Sequence, residues 1–321
     1  MTISPCGIDI DEVLEAFAAR TVWYPSYQEA MRLITKCIDT TRDRKDPSSA
    51  MLIGPTGVGK TRLCRMLEKQ LGPKHSVERP ECEKTIWPCV YIELPESTTI
   101  KSLSMVMAKI LGGQPHDYQS ITTLEDLIIE RLITMEVLLV ILDDFHHAAE
   151  KGLSKTKNSL CNWIIKLLNR SSIPFLISGS PTAESTIAMV PELSDRFPYR
   201  ARLQSMSMAD ESSTPAFLGV LAGLQQEMIR LGRLKDHIHL TDPTPYKAIY
   251  LATQGNFRRL SNLLHDSFRI ALLRGDHTLK ISDFAEAAAD LAFCCSPNYF
   301  LMNPNQLNKA LKSQTNKPYK T

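Results

Sequence analysis

Short, mostly apolar runs alternate with longer segments of helical periodicity up to about residue 204. The runs predict buried strands, at residues 50–53, 89–92, 137–142, 174–177 and 199–203. The segments between them carry apolar residues at helical spacing, at 62–71, 100–111, 123–134 and 159–169. Apolar strands that alternate with helices predict an α/β fold with a parallel sheet, in which ligands bind beyond the carboxyl ends of the strands.

The pattern changes after residue 204, where the strand signal disappears and helical periodicity continues to about residue 292. Before the first strand, two helices are expected around an aromatic joint at 21–25. The last segment contains prolines and lysines but no acidic residue, which is typical of a mobile chain. The predicted domains are an N-terminal helical segment at 1–44, a core at 45–205, a helical lid at 206–295 and a flexible basic tail at 296–321.

Composition narrows the class of protein only a little. With 321 residues, of which 43% are hydrophobic and 22% charged, the chain can bury a sizeable core. A net charge of +2 is too balanced to attract nucleic acid over the whole surface, so any DNA-binding surface must be local. The cysteines lack metal-ligand spacing, and no apolar run approaches the roughly 20 residues that span a membrane. Because the acidic N-terminus also lacks signal-peptide features, we expect a cytoplasmic protein with reduced thiols and no membrane partner.

The most specific motif lies directly after the first predicted strand. It has the pattern G-x-x-x-x-G-K-T and opens a predicted helix, which is the context that this motif requires. Its glycines allow backbone N–H groups to point at a polyphosphate, at the positive end of the helix dipole. Lys60 would reach the outer phosphates, and Thr61 would place its hydroxyl on Mg²⁺. The predicted nucleotide-binding residues here are Gly54, Pro55, Thr56, Gly57, Val58, Gly59, Lys60, Thr61 and Arg62.

Polar side chains end two further predicted strands. Asp143 and Asp144 follow the strand at 137–142, so Asp143 is expected to hold Mg²⁺ and Asp144 to orient or deprotonate the attacking water. The alternative role of Asp144 is an N-cap for the next helix. The strand at 174–177 ends in hydroxyls, and Ser180, or less favoured Ser178, would contact the γ-phosphate or the water. A turn-forming role is an equal alternative for these serines.

Two arginines complete the candidate phosphate ligands. Arg196 precedes the last predicted strand, where it either pairs with Asp195 or projects into the nucleotide site of a neighbouring subunit. Arg258 lies in the first turn of a helix that begins after Gly255 and Asn256. A cation is disfavoured at this end of a helix unless an anion lies opposite, so Arg258 is expected to contact the nucleotide phosphates. The alternative is an exposed, solvated arginine.

In this order the motifs resemble those of AAA+ ATPases. The resemblance implies a P-loop NTPase fold with a parallel five-stranded sheet of order 5-1-4-3-2, numbered along the chain, and a C-terminal helical lid. The sequence is most similar to the TnsC/TniB group of transposition regulators, over roughly residues 15–290. The sequence segments on which this similarity rests are RTVWYP at 20–25, LDDFH at 142–146, IPFLISGS at 173–180 and SDRF at 194–197.

The resemblance implies an ATPase that uses ATP and Mg²⁺ and assembles on double-stranded DNA as a homo-oligomer, in a hexameric or heptameric ring or a helical filament. It also implies a link between a transposase and a target-selector protein, such as a TniQ-like protein or a CRISPR effector, in a bacterial cytoplasm. On the same basis Ser180 is sensor 1, Arg196 a finger acting in trans and Arg258 sensor 2, while Trp23 and Tyr24 border the adenine.

This sequence departs from the family pattern at Asp144, where the family usually has glutamate. The shorter side chain withdraws the carboxylate by about 1 Å, and misplacement on this scale costs rate. We therefore expect slow hydrolysis, which suits a timer or switch.

DNA contacts are expected on loops and helix starts that follow the second and third strands. Each subunit would neutralise only one or two phosphates, so binding would depend on oligomerisation and fall steeply with salt. The candidates, for which a solvated surface is the alternative role, are Lys101, Lys151, Lys155 and Lys157. Two other functions stay open: an origin-licensing or clamp-loader-like DNA ATPase, and a STAND-type signalling NTPase that does not act on DNA.

Overall fold

The computed structural model describes residue 7 and residues 9–79, 82–94, 99–145, 154–208, 214–294 and 296–315. Two compact units divide the chain. The first, which we call the core unit, is Ser26–Gln204, and the second, the lid unit, consists of the described residues of Met1–Pro25 and Ser205–Thr321.

Helices account for most of the described chain. In chain order they are α1 (Ile10–Ala19), α2 (Pro25–Arg44), α3 (Lys60–Leu71), α4 (Ile100–Ile110), α5 (Ile121–Thr134), α6 (Ser154–Ser171), α7 (Pro181–Ala188), α8 (Pro191–Asp195), α9 (Thr214–Gly232), α10 (Pro243–Thr253), α11 (Phe257–Arg274), α12 (Ile281–Asp290) and α13 (Pro304–Thr315). The strands are β1 (Ala50–Ile53), β2 (His75–Arg79), β3 (Cys82–Ile86), β4 (Cys89–Glu93), β5 (Leu139–Asp143), β6 (Phe175–Gly179), β7 (Tyr199–Arg202), β8 (Asp236–His237) and β9 (Thr278–Leu279).

A five-stranded parallel sheet forms the centre of the core unit. Its spatial order is β4-β5-β6-β1-β7. Numbered along the chain, these strands read 2-3-4-1-5, so the predicted order 5-1-4-3-2 is confirmed, read from the opposite edge. Strands β1, β5 and β6 are buried along their whole length, which explains their continuous apolar sequence. Large side chains such as Trp163, Phe175 and Phe197 fill the core beside the sheet.

The strands β2 and β3 form an antiparallel hairpin that the sequence pattern did not predict. Ser76 pairs with Thr85, and Lys84 forms an ion pair with Glu136 at 2.7 Å. The hairpin is rich in charged residues and is largely exposed, so it lacks the apolar run that revealed the sheet strands.

The N-terminal segment expected at 1–44 is divided between the two units. Helix α1 buries Ile10, Leu14 and Phe17, and the Phe17 ring lies 5.4 Å from that of Phe268 on α11, within the lid unit. Helix α2 belongs to the core unit from Ser26 onward. The lid unit also contains the short parallel pair β8 and β9, which lies beyond the point where the sequence showed a strand signal.

The segment expected to be a flexible tail is folded over its described part, residues 296–315. It contains a 3₁₀ turn at Tyr299–Leu301 and helix α13. Phe300 packs against Phe284 with ring centroids 5.6 Å apart, and Leu307 is fully buried. The basic composition therefore describes the exposed side of this segment, while a few apolar residues anchor the other side.

Two further features of the described chain are the hydrophobicity of its helices and the state of its cysteines. Among the described residues, no helix combines the length and hydrophobicity that a membrane crossing requires. Cys37, Cys64, Cys89, Cys161 and Cys294 are buried thiols that form no disulfide within the described part of the chain.

Candidate functional site

The candidate site lies at the carboxyl edge of the sheet in the core unit. The register pairs Ile53 with Gly179, and it pairs Glu93 with Asp143. The N–H of Gly54 continues this pattern by donating to the Gly179 carbonyl at 3.1 Å. Because the strands end level with one another, the loop after β1 and the residues after β5 and β6 share one edge.

The loop after β1 leaves no room for side chains at two of its glycines. A Cβ atom added to Gly54 would lie 2.2 Å from the Leu203 carbonyl oxygen. One added to Gly59 would lie 1.9 Å from the Tyr27 hydroxyl, and Gly59 has a φ of +96°. Both positions therefore require glycine, and the chain can place its backbone N–H groups close to a ligand.

Lys60 lies inside this loop and begins helix α3. Its Nζ donates to the carbonyl oxygens of Gly54 at 2.8 Å and Pro55 at 3.0 Å, and the residue is only 7% exposed. Thr61 is exposed and Arg62 is half-buried in the same helical turn. The loop thus encloses one ammonium group at the N-terminus of a helix, an arrangement that suits a phosphate.

Tyr27 supports the loop from helix α2, and the sequence analysis did not identify it. Its hydroxyl donates to the Gly59 carbonyl at 2.6 Å, and the side chain is buried. Burial raises the pKa of Tyr27 above its ordinary range, so the phenol keeps the proton that it donates.

Asp143 ends β5 as a fully buried carboxylate. Its Oδ2 accepts a hydrogen bond from the Tyr91 hydroxyl at 2.8 Å, and its Oδ1 accepts one from the Asp144 N–H at 3.0 Å. Both donors are neutral, and within the described residues Asp143 has no ion pair. Buried charges in proteins are paired or coordinate metals, so this carboxylate fits a cation such as Mg²⁺.

The charge of Asp143 also acts on its neighbours. Burial, followed by the charge of Asp143, raises the pKa values of the Cys64 thiol on α3 and of the Tyr91 phenol. Arg65 stacks on the Tyr91 ring, with its Cζ 3.4 Å from the ring centroid, and forms an ion pair with Glu68 at 3.0 Å. Neither Tyr91 nor Arg65 belongs to the sequence motifs described above, so the sequence analysis did not identify them.

Asp144 follows in the left-handed backbone region, with a φ of +55°. This conformation is uncommon for a residue other than glycine, and such residues cluster at functional sites. The side chain is half-buried. The helix start for which Asp144 would be an N-cap lies outside the described residues, so its two predicted roles stay open.

The two candidate serines have different surroundings. Ser178 is fully buried, and its hydroxyl lies beside the Cys64 thiol on α3, where it lowers the pKa of that thiol against the larger rise caused by burial. Ser180 is half-buried at the start of α7, with its hydroxyl 2.6 Å from that of Thr182. The predicted contacts of both serines with the γ-phosphate or the water stay predictions.

Arg196 forms an ion pair within the same chain, but with Asp46 and not with Asp195. A role in trans would require this pair to open or to be shared. In the lid unit, the guanidinium of Arg259 donates to Gln254 at 3.2 Å, whereas Arg258 is exposed and has no hydrogen bond or ion pair within the described chain.

The aromatic joint belongs to the lid unit. Trp23 is 46% exposed and Tyr24 is buried. Their predicted contacts with the adenine, and that of Arg258 with phosphate, stay predictions.

The candidate DNA-binding lysines are only partly described. The Nζ of Lys101 on α4 donates to the Asp117 carbonyl. Lys157 is half-buried on α6, and Lys155 lies in the first turn of α6 with a side chain outside the described part. Lys151 lies outside the described residues. The two described side chains, those of Lys101 and Lys157, lie on different helices, α4 and α6.

Comparisons with known proteins agree on the fold. The chain superimposes on the Aeropyrum pernix ORC1 protein in complex with DNA with a TM-score of 0.61 at 17% identity, covering 87% of this chain and 68% of that one. The Aeropyrum pernix ORC2 protein, solved in ADPNP-ADP complexes, gives 0.58 at 15% identity, covering 85% and 71%. These similarities confirm the predicted AAA+ P-loop NTPase fold.

Sequence comparisons give the family. A search of curated proteins found no match. The model of the bacterial TniB protein family matches residues 13–206, which is more than half of the sequence. The chain therefore belongs to the TniB family, as its motifs predicted.

Proposed function

We propose that this protein is an AAA+ ATPase that binds double-stranded DNA. This binding depends on ATP and does not depend on the DNA sequence. The proposal rests on the position of Asp143. This buried carboxylate has no cationic partner in the described chain and lies at the same sheet edge as the loop around Lys60. A nucleotide with Mg²⁺ supplies both the cation that Asp143 lacks and the phosphates that suit Lys60.

Each group at this edge has a proposed task. The backbone N–H groups of residues 54–61 and the ammonium of Lys60 bind the phosphates, while Thr61 and Asp143 hold Mg²⁺. When bound, Mg²⁺ neutralises charge on the outer phosphates. Asp144 orients or deprotonates the attacking water, and its short side chain makes hydrolysis slow. Ser180, or Ser178, contacts the γ-phosphate or that water.

The remaining proposals concern assembly. We propose that the protein forms a homo-oligomer on DNA, in which Arg196 reaches the nucleotide of a neighbour and Arg258 contacts nucleotide phosphates. Membership of the TniB family supports a link between a transposase and a target selector, in the cytoplasm. The structurally similar Aeropyrum pernix ORC1 protein was solved in complex with DNA, which supports DNA as the partner.

The test is a duplex mobility shift at several salt concentrations, with ATP, with a slowly hydrolysed analogue and without nucleotide. The wild-type protein should bind only with nucleotide, without sequence preference, and more weakly as salt rises. Lys60→Ala should lose nucleotide affinity by about 100-fold, since two charge-assisted hydrogen bonds contribute about 3 kcal/mol. Lys69→Ala, on the exposed side of α3, is the matched control. Unchanged nucleotide affinity in Lys60→Ala would overturn the proposal.

An origin-licensing type of DNA ATPase is a second candidate, because proteins of similar structure include ORC1 and ORC2 of Aeropyrum pernix. Electron microscopy of the protein on duplex DNA with the slowly hydrolysed analogue separates the two. Rings or helices of this chain alone support the first proposal, whereas persistent monomers that assemble only with unlike ATPase subunits support the second. Absence of duplex binding under every nucleotide condition would favour a STAND-type signalling role.

A further inference from the structure

Tyr91 links the neighbouring strand to the candidate metal ligand. Tyr91 lies on β4 opposite Ile141 of β5, two residues before Asp143. Because side chains at i and i+2 of a strand share one face, the phenol and the Asp143 carboxylate lie on the same side of the sheet. The hydroxyl reaches Oδ2 of Asp143 at 2.8 Å, and Tyr91 is only 8% exposed.

The hydrogen bonds fix the carboxylate without neutralising it. One oxygen of Asp143 accepts from Tyr91 and the other from the Asp144 N–H, so rotation about the last side-chain bond would break both. An arginine or lysine in place of Tyr91 would hold the group equally well but would cancel its charge. A neutral hydroxyl leaves that charge, and the remaining lone pairs, for a metal ion.

Arg65 holds the ring of Tyr91 from the other side. Its guanidinium lies 3.4 Å from the ring centroid, which is close enough for a cation–π interaction. Arg65 belongs to α3, the helix that begins with Lys60, and its ion pair with Glu68 fixes its own position. One helix therefore carries both the phosphate-binding lysine and the residue that restrains the phenol.

We propose that Tyr91 is a positioning residue for metal binding, whose hydroxyl holds the Asp143 carboxylate in the orientation that binds the Mg²⁺ of the nucleotide. This inference rests on the proposed function and extends it to residues outside the family motifs. Arg65 acts one step further away, by restraining the Tyr91 ring.

The experiment measures binding of a fluorescent ATP analogue to the full-length protein, first in EDTA and then at rising Mg²⁺ concentration. Tyr91→Phe removes only the hydroxyl and should raise the Mg²⁺ concentration at half-saturation by about 10- to 100-fold. Its affinity for the metal-free nucleotide should match the wild type, whereas its thermal midpoint should fall because Oδ2 of the buried Asp143 loses its donor. The matched control is Tyr199→Phe on β7 of the same sheet, which removes a 2.7 Å hydrogen bond to Thr40 on α2 and should leave the Mg²⁺ dependence unchanged.

Arg65→Met provides a second variant on an exposed residue. It should shift the Mg²⁺ dependence in the same direction by a smaller factor. If Tyr91→Phe has the Mg²⁺ dependence of the wild type, or if it loses affinity equally with and without Mg²⁺, the positioning role is wrong while the proposed function stands. If the wild-type protein itself binds the analogue without any Mg²⁺ dependence, both are wrong.

Discussion

Among the described residues, the core unit and the lid unit each bury one aspartate, and the two aspartates differ in their partners. In the lid, the guanidinium of Arg274 contacts both oxygens of Asp283, which also accepts a 2.8 Å hydrogen bond from the Lys280 N–H. In the core, the hydrogen-bond donors to Asp143 within the described chain are both neutral. The lid therefore neutralises its buried charge within the chain, whereas the charge of Asp143 is, on the proposal above, neutralised by a bound cation.

The difference separates structural charges from functional ones. A buried ion pair is complete in the folded chain, and removing one partner leaves the other unpaired at high cost. A buried carboxylate without a cation already carries that cost before any substitution. A protein retains such a group when a bound cation offsets the cost, which explains why Asp143 lies at the edge where phosphates are expected.

The largest expected difference in the free energy of unfolding is between a variant that removes the cation beside Asp283 and one that removes the charge of Asp143. Arg274→Met leaves Asp283 buried without a cation and should lower the free energy of unfolding by about 3 kcal/mol. Asp143→Asn removes an uncompensated charge and should change it by less than about 1 kcal/mol while abolishing Mg²⁺-dependent nucleotide binding. Urea unfolding followed by circular dichroism gives the measurement, with Arg269→Met on the exposed side of α11 as control. Equal losses in Arg274→Met and Asp143→Asn would contradict the comparison.

A glycine pair tests whether the core backbone is shaped for a ligand as well. Gly59 and Gly72 both have positive φ, +96° and +106°, but a Cβ meets Tyr27 only at Gly59. Gly72 has a ψ of 158°, in a region that is essentially restricted to glycine, so Gly72→Ala should cost about 1–3 kcal/mol from backbone strain and leave nucleotide binding unchanged. Gly59 has a ψ of 20°, in the left-handed region, so Gly59→Ala should cost about 1–2 kcal/mol from strain plus about 1–3 kcal/mol from the steric clash, with loss of nucleotide binding. Thermal unfolding and nucleotide titration measure the two effects, and unchanged nucleotide binding in Gly59→Ala would disprove the close fit at Gly59.

Two adjacent arginines in the lid unit test the same distinction, because one has partners within the described chain and the other has none. Arg259 donates to Gln254 and lies 5.7 Å from the Phe293 ring, so Arg259→Ala should lower stability by about 1 kcal/mol. Arg258→Ala should change stability by less than about 0.5 kcal/mol but lower the ATPase rate by at least about tenfold. The comparison is wrong for the lid if Arg258→Ala hydrolyses ATP at the wild-type rate.

The smallest expected effect is the pH dependence of stability that arises from Asp276. Hydrogen bonds from Arg274 and then Lys280 hold the pKa of Asp276 well below its ordinary value. Stability from this group is therefore present above the unfolded pKa of about 4 and is lost as pH falls toward the folded value. Scanning calorimetry from about pH 5 to pH 3 should show a falling midpoint, with a smaller fall in Asp276→Asn. Because Asp276 is exposed, solvent screening keeps the difference small.

Local sequence signals were sufficient for most of the core. Strands β1, β4, β5 and β6 are short apolar runs beside a turn, and the motif from Gly54 to Thr61 depends only on neighbouring residues, so both could be read without a structure. The hairpin β2–β3 and the helix α13 could not, because the hairpin is charged and largely exposed and α13 is a mostly polar segment anchored by Leu307.

Site residues that act through distant contacts were also beyond the sequence. Tyr27 and Gly59 are 32 residues apart, Tyr91 and Asp143 are 52 apart, and Arg196 and Asp46 are 150 apart. Arg196 was expected either to pair with its neighbour Asp195 or to project into another subunit, and its ion pair with the distant Asp46 illustrates the limit of short-range reasoning.

The divided lid unit has a consequence for the newly made protein. Residues 26–204 are contiguous, so the core can fold as soon as they leave the ribosome. Phe17, in contrast, must wait for Phe268, which is translated 251 residues later, a delay on the order of tens of seconds. During that time the apolar face of α1 has no final partner, which makes it a natural client segment for a chaperone.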